Sequence, residues 1–145
     1  MKHIPGVAQA VGLALFGALL VIPANALQAR SQGNKKPSLS LKASPAVSFA
    51  PARIVLSAEV KGGSNDYEDF YCPSVEWEWG DLTTSTAEAD CEPYEAGKSE
   101  IKRRYTVEHR YKNPGGFKII LRLKKGNKIV ATANTMVQVR AGLGQ

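Results

Sequence analysis

Apolar and polar residues alternate along most of the chain beyond residue 50, which is the pattern of β-strands that bury one face. The clearest alternating runs are Ile54, Leu56, Ala58 and Val60; Val75, Trp77 and Trp79; Ile101, Tyr105, Val107, His109 and Tyr111; and Phe117, Ile119, Leu121 and Leu123. Each run predicts one strand. A further strand is predicted over residues 129–139, and shorter ones near residues 45–49 and 83–89.

Turn residues separate these runs. Asn113-Pro114-Gly115-Gly116 supplies one turn, because proline fixes φ and glycine accepts positive φ, and Lys125-Gly126-Asn127 closes a hairpin. Short alternating strands between turn residues, without a helical period, predict an all-β chain. We expect an immunoglobulin-like two-sheet β-sandwich of about seven antiparallel strands.

The first 26 residues have the pattern of a signal peptide. Lys2 precedes an uncharged stretch whose most apolar part, residues 7–22, is 16 residues long and is followed by Ala24-Asn25-Ala26. A membrane-spanning helix needs roughly 20 apolar residues, so cleavage after Ala26 is expected. Cleavage after Ala29 and an uncleaved membrane anchor are the alternatives. The mature chain is then expected to be secreted or periplasmic, with no membrane span after cleavage.

The remainder of the chain divides by composition. Residues 27–42 are polar, basic and rich in Ser and Gly, which predicts a flexible linker. The strand pattern then occupies residues 43–140, and residues 141–145 form a short C-terminal tail.

Composition and cysteine content narrow the class of protein. The chain has 145 residues, 19 Lys and Arg against 13 Asp and Glu, and a net charge of +6, which excludes collagen-like, coiled-coil and wholly disordered proteins. In an oxidising compartment Cys72 and Cys91 are expected to form a disulfide, which would stabilise the fold by roughly 3 kcal/mol. Metal binding is the weaker alternative, because no CxxC pair or nearby histidine completes a zinc set.

Two separated segments carry recognisable motifs. They are Val75-Glu76-Trp77-Glu78-Trp79-Gly80-Asp81 and His109-Arg110-Tyr111-Lys112-Asn113-Pro114-Gly115-Gly116-Phe117-Lys118-Ile119. Together they resemble the PKD (polycystic kidney disease) domain family, whose pattern is a strand ending in W-x-F-G-D and, later, H-x-Y-x-x-x-G-x-Y. The match covers roughly residues 43–140. The sequence departs from the family pattern at Trp79, at Leu82, in an extra glycine, and in the length of the 27-residue interval between Asp81 and His109.

The resemblance implies an extracellular or periplasmic β-sandwich that serves as a spacer, adhesion or ligand-binding module. In the resembled motif His109 is structural. From the residues themselves, Trp77 and Trp79 either belong to the core or stack on a sugar ring. His109 is the only histidine left after cleavage, so no Ser-His-Asp set is available, and we expect no enzyme activity. A small secreted hydrolase is the alternative that substitution of a carboxylate or His109 would test.

No cofactor is expected from the sequence, with one exception. The acidic segment that contains Asp66, Glu68 and Asp69, together with Asp81, offers the oxygen ligands that Ca²⁺ prefers. The competing interpretation is a solvated acidic loop, because the spacing of an EF-hand is absent.

Basic side chains occupy the outward phases of the later strands and are predicted to merge into one positive surface. Such a surface attracts anionic partners, here an acidic glycan or an acidic protein of the cell envelope rather than nucleic acid. A solubilising face without a ligand, in a purely structural or assembly module, is the alternative. The candidate residues are Lys102, Arg104, Arg110, Lys118, Arg122 and Lys124.

Overall fold

The computed structural model describes residues 35–142 and contains eight strands and one short 3₁₀ turn over Glu68–Phe70. The predicted signal peptide, residues 27–34 of the linker and residues 143–145 of the tail lie outside the described residues. Within the described part, no helix is long and apolar enough to cross a membrane. The strands are β1 (Ser38–Ser44), β2 (Val47–Phe49), β3 (Ala52–Lys61), β4 (Ser74–Glu78), β5 (Thr84–Ala87), β6 (Arg104–Tyr111), β7 (Gly115–Lys125) and β8 (Lys128–Arg140).

The strands form two sheets, in the orders β1-β3-β6 and β2-β8-β7-β4-β5. The predicted immunoglobulin-like two-sheet sandwich is confirmed. It has eight strands rather than about seven, and β2 runs parallel to β8 while every other pair is antiparallel. The additional strand arises because the chain changes sheets between Ser44 and Val47, so that one short segment supplies an edge strand to each sheet.

The linker prediction is wrong over its last residues. Residues 38–42 belong to β1, which pairs with β3 along its whole length. Leu39 and Leu41 pack against the core, and the intervening serines and Lys42 face outward. The alternation was present in the sequence, but serine and lysine are common in linkers and concealed it.

The core lies between the sheets and is made by the inward positions of β3, β4, β6, β7 and β8. Ile54 and Leu56 from one sheet and Leu121 and Leu123 from the other are fully buried. In β4, Trp77 lies opposite Leu121 of β7. These are the faces that the alternation in the sequence predicts.

The long connection from β5 to β6, residues 88–103, is held by specific contacts against the loop between β3 and β4, residues 62–73. The hydroxyl of Tyr94 donates to the carbonyl of Asp66 at 2.7 Å, and the amide of Ile101 donates to the carbonyl of Asn65 at 2.7 Å. Arg103 donates to the carbonyls of Gly62, Gly63 and Ser64 and to the side chain of Asn65 at 2.9 Å. In the sequence, Arg103 stands between Ile101 and Tyr105, where it interrupts the apolar phase of the alternating run, and the pattern alone predicts no role for it.

Candidate functional site

Five rings from the two sequence motifs form one continuous stack at one end of the sandwich. The indoles of Trp77 and Trp79 lie 5.3 Å apart and parallel within 5°. The imidazole of His109 lies 4.2 Å from Trp79, Tyr111 meets that imidazole edge-on at 4.8 Å, and Phe117 stacks on Tyr111 at 4.2 Å. Both indoles are only 4% exposed, so neither presents a ring face to which a sugar could bind.

Asp81 organises the turn that follows β4. Its Oδ2 accepts a hydrogen bond from His109 Nε2 at 2.8 Å, and its Oδ1 accepts from the backbone amide of Thr83 at 3.0 Å and from the Thr83 hydroxyl. Burial of the carboxylate raises the pKa of Asp81, but the hydrogen bonds from Thr83 and His109 outweigh burial and hold that pKa below its ordinary value. Asp81 is therefore a charged acceptor that joins β4 to β6.

The glycines of the motif occupy crowded backbone positions. Gly80 has φ +78°, and a Cβ there would lie 2.6 Å from the carbonyl oxygen of Lys118. Next to it, the hydroxyl of Tyr111 donates to the carbonyl of Trp79 at 2.7 Å. Gly115 and Gly116 begin β7, and a Cβ on Gly115 would lie 3.0 Å from the ring of Phe117. These contacts are those of a structural cluster.

The predicted disulfide between Cys72 and Cys91 is confirmed. It joins the residue two positions before β4 to the β5–β6 connection. The hydroxyl of Tyr71 donates to the carbonyl of Glu92 at 2.8 Å beside it, so the two loops are fastened at adjacent points.

The prediction of one merged basic surface is wrong. Arg104 and Arg110 lie on β6 of the three-stranded sheet, and Lys102 precedes that strand. The remaining candidates lie on β7 of the five-stranded sheet, whose outer face points the opposite way. The short turn after Tyr111 carries the chain from one sheet to the other. The spacing of residues along the chain could not reveal this crossing. The β7 residues are Lys118, Arg122 and Lys124.

Two of the three β7 cations are neutralised. Arg122 contacts Glu76 at 3.1 Å and Glu78 at 2.9 Å, and Lys124 contacts Glu76 at 3.2 Å. The hydrogen bond from Lys124, with help from Arg122, holds the pKa of the Glu76 carboxylate below its ordinary value. The outer face of the five-stranded sheet is therefore a surface of paired charges around β4 and β7.

The predicted calcium ligands do not come together. Asp66 accepts the amide of Gly97 at 2.9 Å, and Asp69 pairs with Lys128 at 2.9 Å. Glu68 is exposed in the 3₁₀ turn, whereas Asp81 lies at the opposite end of β4. Across residues 35–142, no three side chains of His, Cys, Asp or Glu are arranged to hold a metal ion.

A groove that sequence reasoning missed lies between the edge strands β5 and β6. It encloses about 330 Å³, and its lining comes from both sheets and from the disulfide. Tyr105 is 6% exposed, and its hydroxyl is buried without a hydrogen-bond partner among the described residues. Burial raises the pKa of that hydroxyl to about 12. The apolar and aromatic side chains that line the groove include those of Pro73, Val75, Trp77, Ala87, Tyr105 and Val107.

No family model matches the chain, and no curated protein sequence matches it. Solved structures of similar shape include the PKD domain of an M14-like peptidase from Thermoplasmatales archaeon SCGC AB-540-F20, at 13% identity and a TM-score of 0.49, covering 74% of this chain and 98% of that chain. The CARDB domain of a Pyrococcus furiosus protein, solved with di-metal ions, has 13% identity and a TM-score of 0.45 and covers 73% and 94%. Red sea bream transglutaminase has 14% identity and a TM-score of 0.47, covering 72% of this chain and 15% of that chain. These likenesses concern the overall shape alone.

Proposed function

We propose that this chain is an exported, non-catalytic module of the cell envelope that binds an acidic glycan through the outer face of its three-stranded sheet. The observation that carries the proposal is a shallow depression of about 290 Å³ on that face, bordered by Lys42 and Arg104. Serine and threonine hydroxyls line it between the two cations, together with Glu59, whose carboxylate is paired with Lys61. The hydroxyls belong to Ser40, Ser57 and Thr106.

The strand register explains how these groups come together. Lys42 lies opposite Ser57, which lies opposite Thr106, in one row across the three strands. In the next row Ser40 lies opposite Glu59, which lies opposite Arg104. Carboxylate, sulfate and phosphate groups accept hydrogen bonds from hydroxyls and from cationic side chains, so the depression offers the donors that an anionic sugar needs.

The charges on this face are unevenly paired. Its two acids, Glu59 and Glu108, are engaged by Lys61 and Arg53 respectively. Among residues 35–142, Lys42, Arg104 and Arg110 have no ion-pair partner. An excess of unpaired cations on one face attracts polyanions and raises their association rate.

Two observations support export and a non-catalytic role. The Cys72–Cys91 disulfide is typical of oxidising compartments, in agreement with the signal-peptide pattern of residues 1–26. The imidazole of His109 is covered by Trp79 on one face and held by Asp81 through its Nε2, which leaves it poorly placed to serve a substrate. A structural role for His109 explains its contacts without any chemistry.

The test is retention of the full oxidised chain on immobilised heparin, used as a sulfated polysaccharide probe, in a rising salt gradient. We expect the double variant Lys42→Glu/Arg104→Glu to elute at much lower salt than the wild type. The matched control is Lys112→Glu/Lys118→Glu, which makes the same charge change at exposed cations outside the face. Only a small shift is expected for the control.

Equal shifts in the two double variants would mean that net charge alone retains the chain, and they would overturn the proposal. Retention that neither variant changes would overturn it as well. A third outcome would contradict the glycan assignment. In it, heparin does not bind, but the chain captures an acidic envelope protein in a salt-sensitive way that depends on Lys42 and Arg104. The face would then bind a protein rather than a glycan.

A further inference from the structure

We propose that the groove between β5 and β6 receives an extended peptide segment of a partner protein, which pairs with the edge of β5 and carries alternating apolar residues together with Lys or Arg. This groove adjoins the three-stranded face, with which it shares Thr106. The two proposals are tested by different variants, at Ala87 for the groove and at Lys42 and Arg104 for the face. The inference rests on the edge of β5, on the lining of the groove, on the Tyr105 hydroxyl and on the charge of the loop above it.

Strand β5 ends the five-stranded sheet, and its outer edge has no strand partner in the described part of the chain. All four of its residues, Thr84–Ala87, are exposed, and none is charged or proline. Proteins usually protect an edge strand with lysine, proline or a bulge, since unpaired backbone groups recruit other chains. Both edges of the three-stranded sheet carry such charges, for example Lys42 on β1 and Arg104 on β6. The edge of β5 is therefore open to strand addition.

The side chains of β5 also leave the groove uncovered. Its inward positions are Ser85 and Ala87, which lie opposite Trp77 and Val75 of β4. Both are small, so they leave open the groove whose floor is lined by the buried side chains of Trp77 and Val75 and by Val107. A strand added beside β5 would place every second side chain over that surface, which is how strand addition obtains specificity.

The hydroxyl of Tyr105 is a second reason to expect that a polypeptide binds in the groove. A buried hydroxyl without a partner destabilises a protein, and such groups are rare in native structures. Tyr105 lines the groove, and Lys102 lies 5.1 Å from the centre of its ring. A backbone carbonyl of an entering strand would be an acceptor of the kind that the hydroxyl lacks. An apolar small molecule would fill the groove but use neither this hydroxyl nor the edge of β5.

The charge of the loop near the groove indicates the sign of the charge that the partner carries. Residues 88–100 contain five acids and one base, in a chain whose net charge is +6. The base, Lys98, is paired with Glu95. The groove itself is lined by two acids, Glu88 and Glu100, and by one base, Lys102. The five acids of the loop are Glu88, Asp90, Glu92, Glu95 and Glu100. Opposite charges across an interface favour the matching partner and reject the wrong one, so a basic segment fits.

The experiment begins with selection of random linear peptides on the full oxidised chain. The affinity of an enriched peptide is then measured by calorimetry for the wild type, Ala87→Lys and Thr86→Lys. Ala87 lines the groove and Thr86 faces the other side of the same sheet, so the second variant controls for charge and for stability of the strand. We expect basic, alternating apolar sequences that bind Ala87→Lys at least roughly ten-fold more weakly, because the lysine side chain would occupy the groove and its charge would repel a basic peptide there. Thr86→Lys should bind within about two-fold of the wild type.

A third variant, Tyr105→Phe, separates binding from folding. It should bind the peptide roughly five-fold more weakly, as expected for one lost hydrogen bond, while the free protein melts at the same or a higher temperature. Enrichment of no sequence, enrichment of acidic sequences, or equal weakening in Ala87→Lys and Thr86→Lys would each overturn the proposal. A peptide that binds Tyr105→Phe as tightly as the wild type would contradict the role of the hydroxyl.

Discussion

The imidazole of His109 stacks on the indole of Trp79 with ring centres 4.2 Å apart and planes 4° from parallel. The two residues come from different sheets and stand 30 positions apart in the chain. Asp81, two positions after Trp79, holds the same imidazole by a hydrogen bond. The two parts of the motif are thus joined through the rings, through the Asp81 carboxylate and through the hydrogen bond from Tyr111 to the carbonyl of Trp79.

Replacing Asp81 by Asn should lower the free energy of unfolding by about 1–3 kcal/mol at neutral pH, because the charged acceptor for His109 and Thr83 is lost. The pKa of Asp81 is lowered in the folded state, so this contribution is present above the unfolded value of about 3.9 and is lost as the pH falls through the folded value. We therefore expect the difference between wild type and Asp81→Asn to shrink in acid. Urea unfolding across that pH range measures it.

The control for that series is Asp90→Asn, an exposed carboxylate in the β5–β6 connection. It should leave the free energy of unfolding within about 0.5 kcal/mol of the wild type at every pH. If the free energy of unfolding falls with decreasing pH in the same way for the wild type and for Asp81→Asn, the Asp81 carboxylate contributes nothing to the loss of stability in acid.

Gly80→Ala and Gly126→Ala form a pair that separates backbone strain from steric overlap. Both glycines have positive φ, +78° and +56°, so alanine at either position costs roughly 1–2 kcal/mol. Only at Gly80 would the new Cβ also overlap a neighbour, the carbonyl of Lys118, whereas nothing lies within 4 Å at Gly126. Thermal denaturation should therefore show a larger loss for Gly80→Ala. Equal losses would mean that β7 moves aside at little cost.

Arg103→Lys should destabilise the loop over residues 62–65, although the charge is kept. The guanidinium donates to four backbone carbonyls, those of Val60 and of residues 62–64, and to the Asn65 side chain. An ammonium on a flexible stem cannot reproduce that planar set. A loss of about 2 kcal/mol and faster proteolytic cleavage in that loop are expected. The neighbouring variant Arg104→Lys, at an exposed position, should change neither measurement. Similar cleavage rates for both variants would contradict the role of Arg103.

Sequence reasoning succeeded where one strand could be considered by itself. The inward phases of β3, β4, β6 and β7 follow from alternation, because side chains of a strand point to opposite faces in turn. It failed at residues 38–42, where serine and lysine on the outer face of β1 resemble a linker, although Leu39 and Leu41 mark the inner face. It also interpreted Arg103 as a flaw in the pattern, since its partners lie about 40 positions earlier in the chain.

The candidate surfaces show the same division. The basic residues were identified correctly as outward-facing, but their division between two sheets depends on where the chain crosses after Tyr111, which no local pattern encodes. The acids at residues 66–69 and Asp81 were grouped by residue type, and β4 holds them at opposite ends of a strand. The groove between β5 and β6 could not be predicted, because it is bounded by edges that exist only when the sheets have assembled.

By itself the sequence determined the all-β class, the buried face of each long strand, the Cys72–Cys91 pair and the two motifs that meet at His109. These follow from the period of alternation, the count of cysteines and short motifs, all of which are local properties. Only the tertiary structure decided which strands are edges, which charges are neutralised by Glu76 and Glu78, and which hydroxyl is left without a partner. Those features depend on distances between residues far apart in the chain, and such distances are fixed by the packing of two sheets against one another.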